Sequence, residues 1–199
     1  MPNVYDFDNT IVCRDSGQAF ISFCIERYRW RMLRFLPGFL VTVLRFDRDR
    51  RRGRPVKGEF FAFTRMLPDV DAQVRLFWRT HADTLLKPWY LAQKRPDDIV
   101  VSCSPEFLLR PLCDQLGVRL VCTRFDTRRG RVLGWSCYGD EKVRRLREAF
   151  GDIEINEFYS DSVTDAPLAA LAKRAFLVTG DVRAPWPEEG DYPKRGWYN

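Results

Sequence analysis

Apolar residues fall into two textures along the chain. The first is Val4–Phe7, a short apolar run carrying two carboxylates, Asp6 and Asp8, spaced i, i+2 near its end. Such a run predicts a buried strand. From about Gly17 the spacing turns helical. Phe20, Phe23, Cys24, Tyr28 and Met32 predict a helix to about Phe35, broken by Pro37-Gly38. Phe39–Phe46 predicts a second short helix, and Val56–Met66, with Phe60, Phe61 and Phe63, a third. Asp69, just after Pro68, signals a helix start. Val70, Val74, Phe77, Trp78, His81 and Leu85 trace its apolar face up to Lys87, and Pro88–Lys94 adds one more turn of helix. His81 on that face reads as a packed core residue rather than a ligand.

The second texture begins at Asp98. Ile99–Ser102 reads as a buried strand. Pro105 then opens a helix that runs through Phe107, Leu108, Leu112 and Leu116 to a stop at Gly117. Val118–Thr123 is the next expected strand, Arg128–Arg131 a turn and Val132–Leu133 a short strand. Asp140 is placed to cap a helix Glu141–Phe150. Glu154–Tyr159 predicts a strand, Pro167–Lys173 a helix and Ala175–Val178 a last strand, followed by a loosely packed tail from Thr179. Alternating strands and helices predict an α/β, doubly wound, mostly parallel sheet. The helical block between the first two strands reads as an insertion. The expected organisation is a Rossmann-like core of residues 1–14 and 98–182, a helical cap of 15–97 and a C-terminal tail of 183–199.

Composition sharpens this picture in three places. Lys and Arg number 33 against 27 acidic residues, for a net charge of +6, which suits an anionic substrate without requiring nucleic acid. The longest basic run, Arg45–Arg54, reads either as a solvated loop or as a patch for anionic headgroups. The six cysteines contain no C-x-x-C pair and read as reduced, buried side chains, which points to the cytoplasm. No signal peptide is read at the amino end. The most apolar window, Leu33–Phe46, is too short to span a bilayer. It reads as a helix packed on its neighbours or lying on a membrane surface, so peripheral membrane contact is expected, if anywhere, through residues 33–54.

The candidate chemistry lies at strand ends. Asp6 and Asp8 follow the first strand, Ser102 ends the second, and Asp161 and Asp165 follow the strand at Tyr159. In open α/β sheets ligands bind at that edge. Two close carboxylates repel, and a divalent cation relieves the repulsion; hard oxygen donors suit Mg2+. Lys142 sits in the first turn of a helix, where the dipole disfavours a cation unless anions are near. Carboxylates, a hydroxyl and a lysine together make a site for a phosphate and a cation.

These residues resemble the haloacid dehalogenase superfamily, and within it the phosphoserine-phosphatase-like branch (subfamily IB). Asp6-Phe-Asp-Asn-Thr10 matches the first motif and Val100-Val-Ser102 the second. Gly139-Asp-Glu-Lys142 matches the third and Asp161-Ser-Val-Thr-Asp165 the fourth, in the family's order. Ser160 stands where the family usually has Gly. The resemblance implies a phosphomonoester hydrolase. Asp6 is then the nucleophile and Asp8 the acid and base. Asp6, the Asp8 carbonyl and Asp161 hold Mg2+, with Asp165 in support. Ser102, the Cys103 amide and Lys142 bind phosphoryl oxygens, and Thr10 braces the loop. Asp15, nine residues after the nucleophile, stands where phosphoserine phosphatases hold the substrate ammonium; it reads equally as a helix cap. Val101–Leu108 and Tyr159–Leu168 are also similar to the phosphatidylglycerophosphate phosphatases of the same branch. The expected substrate is a small phosphorylated metabolite, with a lipid phosphate or a non-catalytic phosphate-binding module as alternatives. The sequence sets no oligomeric state.

Overall fold

A computed structural model describes residues 1–30 and 57–188, with side chains of the second span from Phe60 onward. The Leu33–Phe46 window, the basic run Arg45–Arg54, the helix expected over Phe39–Phe46 and residues 189–199 lie outside the described residues.

Among the described residues eight strands form two sheets. The main sheet contains β1 (Val4–Tyr5), β2 (Ile99–Pro105), β3 (Arg119–Thr123), β6 (Ile155–Ser160), β7 (Ala172–Thr179) and β8 (Val182–Pro185), in the order β3-β2-β1-β6-β7-β8. All neighbours are parallel except β7 and β8. β4 (Phe125–Asp126) and β5 (Arg131–Val132) make a separate antiparallel ribbon. The strand order reverses around β1, so the crevice beyond its carboxyl end is the expected ligand position for this architecture.

Side-chain alternation builds two cores from this one sheet. Tyr5, Val100, Leu120 and Tyr159 face one cluster, which also takes residues from α1 (Ser16–Arg27), α2 (Val70–Leu85), α3 (Pro88–Gln93) and α4 (Glu106–Leu116). Val4, Ile99, Val101, Val121 and Phe158 face the other, against α5 (Asp140–Phe150) and the short α6 (Ala166–Ala169). A strand buried on both faces must be apolar throughout, which is why β1 and β2 read as continuous apolar runs. Tyr5 stacks on Tyr159 and Tyr159 on Phe176, both at 5.0 Å between centroids, tying β1, β6 and β7 by their rings. The insertion shares this core. Phe20, Phe63, Phe77 and Trp78 are fully or almost fully buried, and the Trp78 indole donates to the Leu108 carbonyl at 2.6 Å. Among the described residues no helix is long and apolar enough to cross a membrane.

Several boundaries differ from the sequence reading. The Val56–Met66 helix is a 3-10 segment, Lys57–Met66. α1 ends at Arg27, with the Tyr28 amide closing on Cys24; Arg29 and Trp30 are helical again, and the rest of the helix expected to about Phe35 lies outside the described residues. α5 is capped by Gly139 at φ 57°, not by Asp140, which lies in the first turn. The helix expected over Pro167–Lys173 stops at Ala169, because Ala172–Thr179 pairs with β6 along its length. The chain after Thr179 is not loose at first: Val182–Pro185 returns as the antiparallel edge strand. At Gly130, φ is +63° and a Cβ would meet the Ala62 backbone at 2.8 Å, so glycine lets the β4–β5 turn lie against the 3-10 segment.

All six cysteines are free, and four are buried. Burial pushes the Cys24, Cys113 and Cys137 thiols and the Tyr5 phenol up to about 12, and drives Tyr90 and Tyr159 higher still. The folded chain therefore keeps protons that the unfolded chain releases from about pH 8.5 for thiols and about pH 10 for phenols. Stability from these groups is fully present below that range and is lost as pH rises through it toward about 12. Denaturant midpoints taken at neutral pH and at successive alkaline steps are expected to fall monotonically. A midpoint constant across that range would mean these groups are solvated.

Candidate active site

The site grows out of the β1–α1 loop. After Tyr5 the chain turns sharply: the amides of Thr10, Ile11 and Val12 all reach the Phe7 carbonyl, at 3.3, 3.0 and 3.2 Å. Asn9 adopts a left-handed φ of 56°, a conformation asparagine tolerates better than most side chains. This turn leaves Asp6 and Asp8 buried, at 6% and 7% exposure, at the carboxyl end of the central strand. The Asp6 amide is paired to the Tyr159 carbonyl at 2.8 Å, so its side chain starts from a fixed backbone.

Lys142 reaches this point from α5. Its ammonium donates to Asp6 Oδ1 at 2.7 Å and to Asp165 Oδ2 at 2.6 Å, and it is almost wholly buried. Desolvation opposes its charge, but the paired carboxylates win and hold it protonated, above its ordinary value. Burial raises the Asp6 carboxyl to about 7, against the pull of Lys142 and with Asp165 and Asp161 adding repulsion. The structure thus unites residues 136 positions apart. Ser160, the departure from the family's glycine, donates to Asp165 Oδ2 at 2.7 Å and accepts from the Ser162 amide at 3.1 Å, which closes the loop after β6.

Asp8 faces a different set of partners. Ser16 donates to its Oδ1 through both amide (2.8 Å) and hydroxyl (2.6 Å), and Ser104 donates to Oδ2 at 2.5 Å. The two serines were not singled out from sequence. Ser104 carried a signal, since it lies two residues after Ser102 and shares its strand face. Ser16 carried none beyond its place at a helix start. Ser102 is buried, and its hydroxyl accepts the Ser104 amide at 3.1 Å, where β2 shifts register before Pro105. Thr123 donates to the Cys103 carbonyl at 2.7 Å and accepts the Cys137 amide at 2.9 Å, which fixes the peptide beside Ser102. Thr10 is a brace: its hydroxyl accepts the Asp161 amide at 2.9 Å and lies 3.5 Å from Asp6 Oδ2.

The four residues expected at a cation, Asp8 among them through its backbone carbonyl, differ in what holds their carboxylates. Asp8 is held by serine hydroxyls, and Asp165 by Lys142 and Ser160. Among the described residues no three His, Cys, Asp or Glu side chains converge as a metal-binding group. Asp6, which bonds Lys142 through Oδ1, and Asp161 are the other two carboxylates, and the Asp161 charge acts on Asp6. Two carboxylates and a backbone carbonyl at Asp8 fit a hard, partly hydrated cation better than a closed protein cage. Asp15 caps α1, accepting the Gln18 amide at 2.9 Å, as the helix-cap reading expected. His81 stacks on Phe77 at 5.0 Å, far from ligand geometry.

Comparison with known proteins agrees with this arrangement. The model of the haloacid dehalogenase-like hydrolases matches residues 4–170. Protein CicA of Caulobacter vibrioides is 30% identical over 182 residues, covering 84% of this chain and 81% of its own. A probable phosphatase of Mycobacterium tuberculosis is 24% identical, covering 89% of this chain and 68% of its own. A Bordetella pertussis protein of unknown function has the same fold in its crystal structure, with a TM-score of 0.71 at 19% identity over 88% of each chain. With a match that spans every strand-end carboxylate described above, the chain belongs to the haloacid dehalogenase-like hydrolases.

Proposed function

We propose that this hydrolase is a phosphomonoester phosphatase that works through an aspartyl-phosphate on Asp6 and needs Mg2+. The observation that carries the reading is the buried contact between Lys142 and Asp6. A carboxylate at the end of the central strand, oriented by a fixed ammonium, is a nucleophile held at the ligand edge of the sheet. The probable-phosphatase relative supports the same class.

In the first step an Asp6 oxygen attacks phosphorus, and the bond from phosphorus to the ester oxygen breaks. Asp8 gives its proton to that departing oxygen, with Ser16 and Ser104 fixing the carboxyl. Asp8 then takes a proton from water as the water oxygen attacks phosphorus, and the bond to Asp6 breaks to release phosphate. Ser102, the Cys103 amide and Lys142 supply donors to the phosphoryl oxygens. Lys142 does so without leaving Asp165, which orients it. Asp6, the Asp8 carbonyl and Asp161 would hold Mg2+, which would supply positive charge for the phosphoryl oxygens. Asp165 is then a support for Lys142 rather than a direct ligand.

A small phosphorylated metabolite such as phosphoserine is the favoured substrate, in the cytoplasm, with the 15–97 insertion reading it over the 1–14 and 98–182 core. Asp15 does not strengthen the serine reading, because its Oδ1 is committed to the helix cap. Hydrolysis of a panel of phosphorylated metabolites and one lipid phosphate, with and without Mg2+, tests the proposal. Release of phosphate from none of them would overturn it and favour a non-catalytic phosphate-binding module. Preference for the lipid would place the enzyme at a membrane surface, through residues 33–54. Asp161→Ala is expected to raise the Mg2+ concentration for half-maximal rate by about tenfold or more, since it removes one of two carboxylate donors. A metal titration that superimposes on the parent's would remove Asp161 from the metal site.

A further inference from the structure

One buried cation takes no part in the chemistry above. Lys87 lies between α2 and α3 and is only 4% exposed. Its ammonium donates to the Asn9 carbonyl at 2.6 Å and to the Gly180 carbonyl, in the β7–β8 turn, at 2.5 Å. Its own amide donates to the Ile11 carbonyl at 2.9 Å. Beside it the Cys13 amide reaches the Leu85 carbonyl at 2.8 Å, and Val12 bridges Leu86 antiparallel. The segment from Leu85 to Lys87 therefore clasps the far end of the catalytic turn, while the lysine side chain grips its apex.

Burying an ammonium is costly, and two carbonyls repay it only if the geometry is fixed. A methionine or leucine would fill the same space without that cost. The apex it grips is the residue with the left-handed backbone, between Asp8 and Thr10. Rotation of the peptide after Asn9 would move the Thr10 brace on Asp161 and the Asp8 carbonyl together. Gly180 provides an anchor on a different part of the sheet, beyond β7. The carboxylates whose fields reach the ammonium are Asp181, in that same turn, and Asp161.

We propose that Lys87 is a positioning residue: by tying the Asn9 carbonyl to the β7–β8 turn, it sets the pitch of the loop that carries Asp6 and Asp8. This rests on the phosphatase reading for its kinetic consequence, but not for the tether itself.

The test compares Lys87→Met, which keeps the stem and removes the charge, with Lys87→Arg, which keeps the charge. Two measurements are made: steady-state kinetics on the best ester of the panel, and amide hydrogen exchange of the peptide spanning residues 7–13. For Lys87→Met the expected result is kcat lower by about thirtyfold with KM within about twofold, since small misplacement of reacting groups acts on the chemical step. Exchange in residues 7–13 is expected to quicken, and Lys87→Arg to recover most of kcat. Parent-like kcat in a folded Lys87→Met protein overturns the proposal, as does unchanged exchange. If Lys87→Met does not fold, Lys87→Gln, whose amide can still donate to a carbonyl but carries no charge, decides: kcat reduced threefold or more at an unchanged melting temperature supports positioning, and parent-like kcat overturns it. A parent that hydrolyses no ester refutes the phosphatase reading, and the exchange arm still decides the tether.

Discussion

Asp6→Asn is expected to give a folded protein with turnover reduced by a factor on the order of 10^4 or more. The amide has nearly the shape of the carboxylate and can still accept from Lys142, so the 2.7 Å contact has a replacement partner. It lacks the anionic oxygen that attacks phosphorus and cannot form the acyl phosphate, so the first step has no nucleophile. Removing one negative charge from a group shared with Asp165 and Asp161 also relieves repulsion, which protects the fold. Two measurements check this. The melting temperature should lie within a few degrees of the parent's. Acid-quenched protein incubated with a phosphorus-labelled ester should carry label in the parent and none in Asp6→Asn. Substantial turnover in the purified variant would take the nucleophile away from Asp6.

Much of this site was legible because its residues are fixed by chain position as well as by chemistry. Asp6, Lys142 and Asp161 each sit at a strand end or a helix start, where short-range pattern is informative, and Ser102 sits where β2, which runs on to Pro105, shifts register. What pairs with them was less legible. Ser16 and Ser104 approach Asp8 from a helix and a strand that meet only in the fold, and serine is common at both kinds of position. Lys87, followed by Pro88, reads only as the end of a helix; only the fold, with the Asn9 and Gly180 carbonyls around it, makes it a buried cation. The ribbon of β4 and β5 was half seen, because strands this short carry little alternation and depend on the turn at Gly130 for their register. The helix over Pro167–Lys173 was overpredicted for a related reason. Its apolar spacing suits a helix, yet Ala172 is claimed by pairing with Ile155 of β6, and long-range pairing overrode local pattern.

Lys142→Met is expected to cost both stability and rate, and the two losses separate cleanly. The side chain neutralises two carboxylates in an environment that excludes water, so its removal leaves Asp6 and Asp165 buried beside Asp161 with no opposing ammonium. Breaking such a group by removing one partner costs about 3–5 kcal/mol. The penalty depends on pH, with a definite sign. Asp6 already has a folded value raised to about 7, and losing Lys142, which pulls it down, raises it further. A carboxyl raised in the folded state binds its proton there more tightly than when unfolded. Its burial therefore destabilises at high pH, and the variant regains stability as pH falls through a folded value above about 7 and on toward the unfolded value near about 4. Denaturant midpoints for Lys142→Met should accordingly approach the parent's at low pH and diverge at high pH; a gap independent of pH would mean the lysine contributes by packing alone. Adding Asp165→Asn removes one stranded charge and is expected to restore part of the stability. It is not expected to restore rate, which should stay about 10^2–10^3-fold down for want of a cationic donor to the phosphoryl oxygens. Recovery of both together would make Lys142 a structural cation with no hold on the substrate.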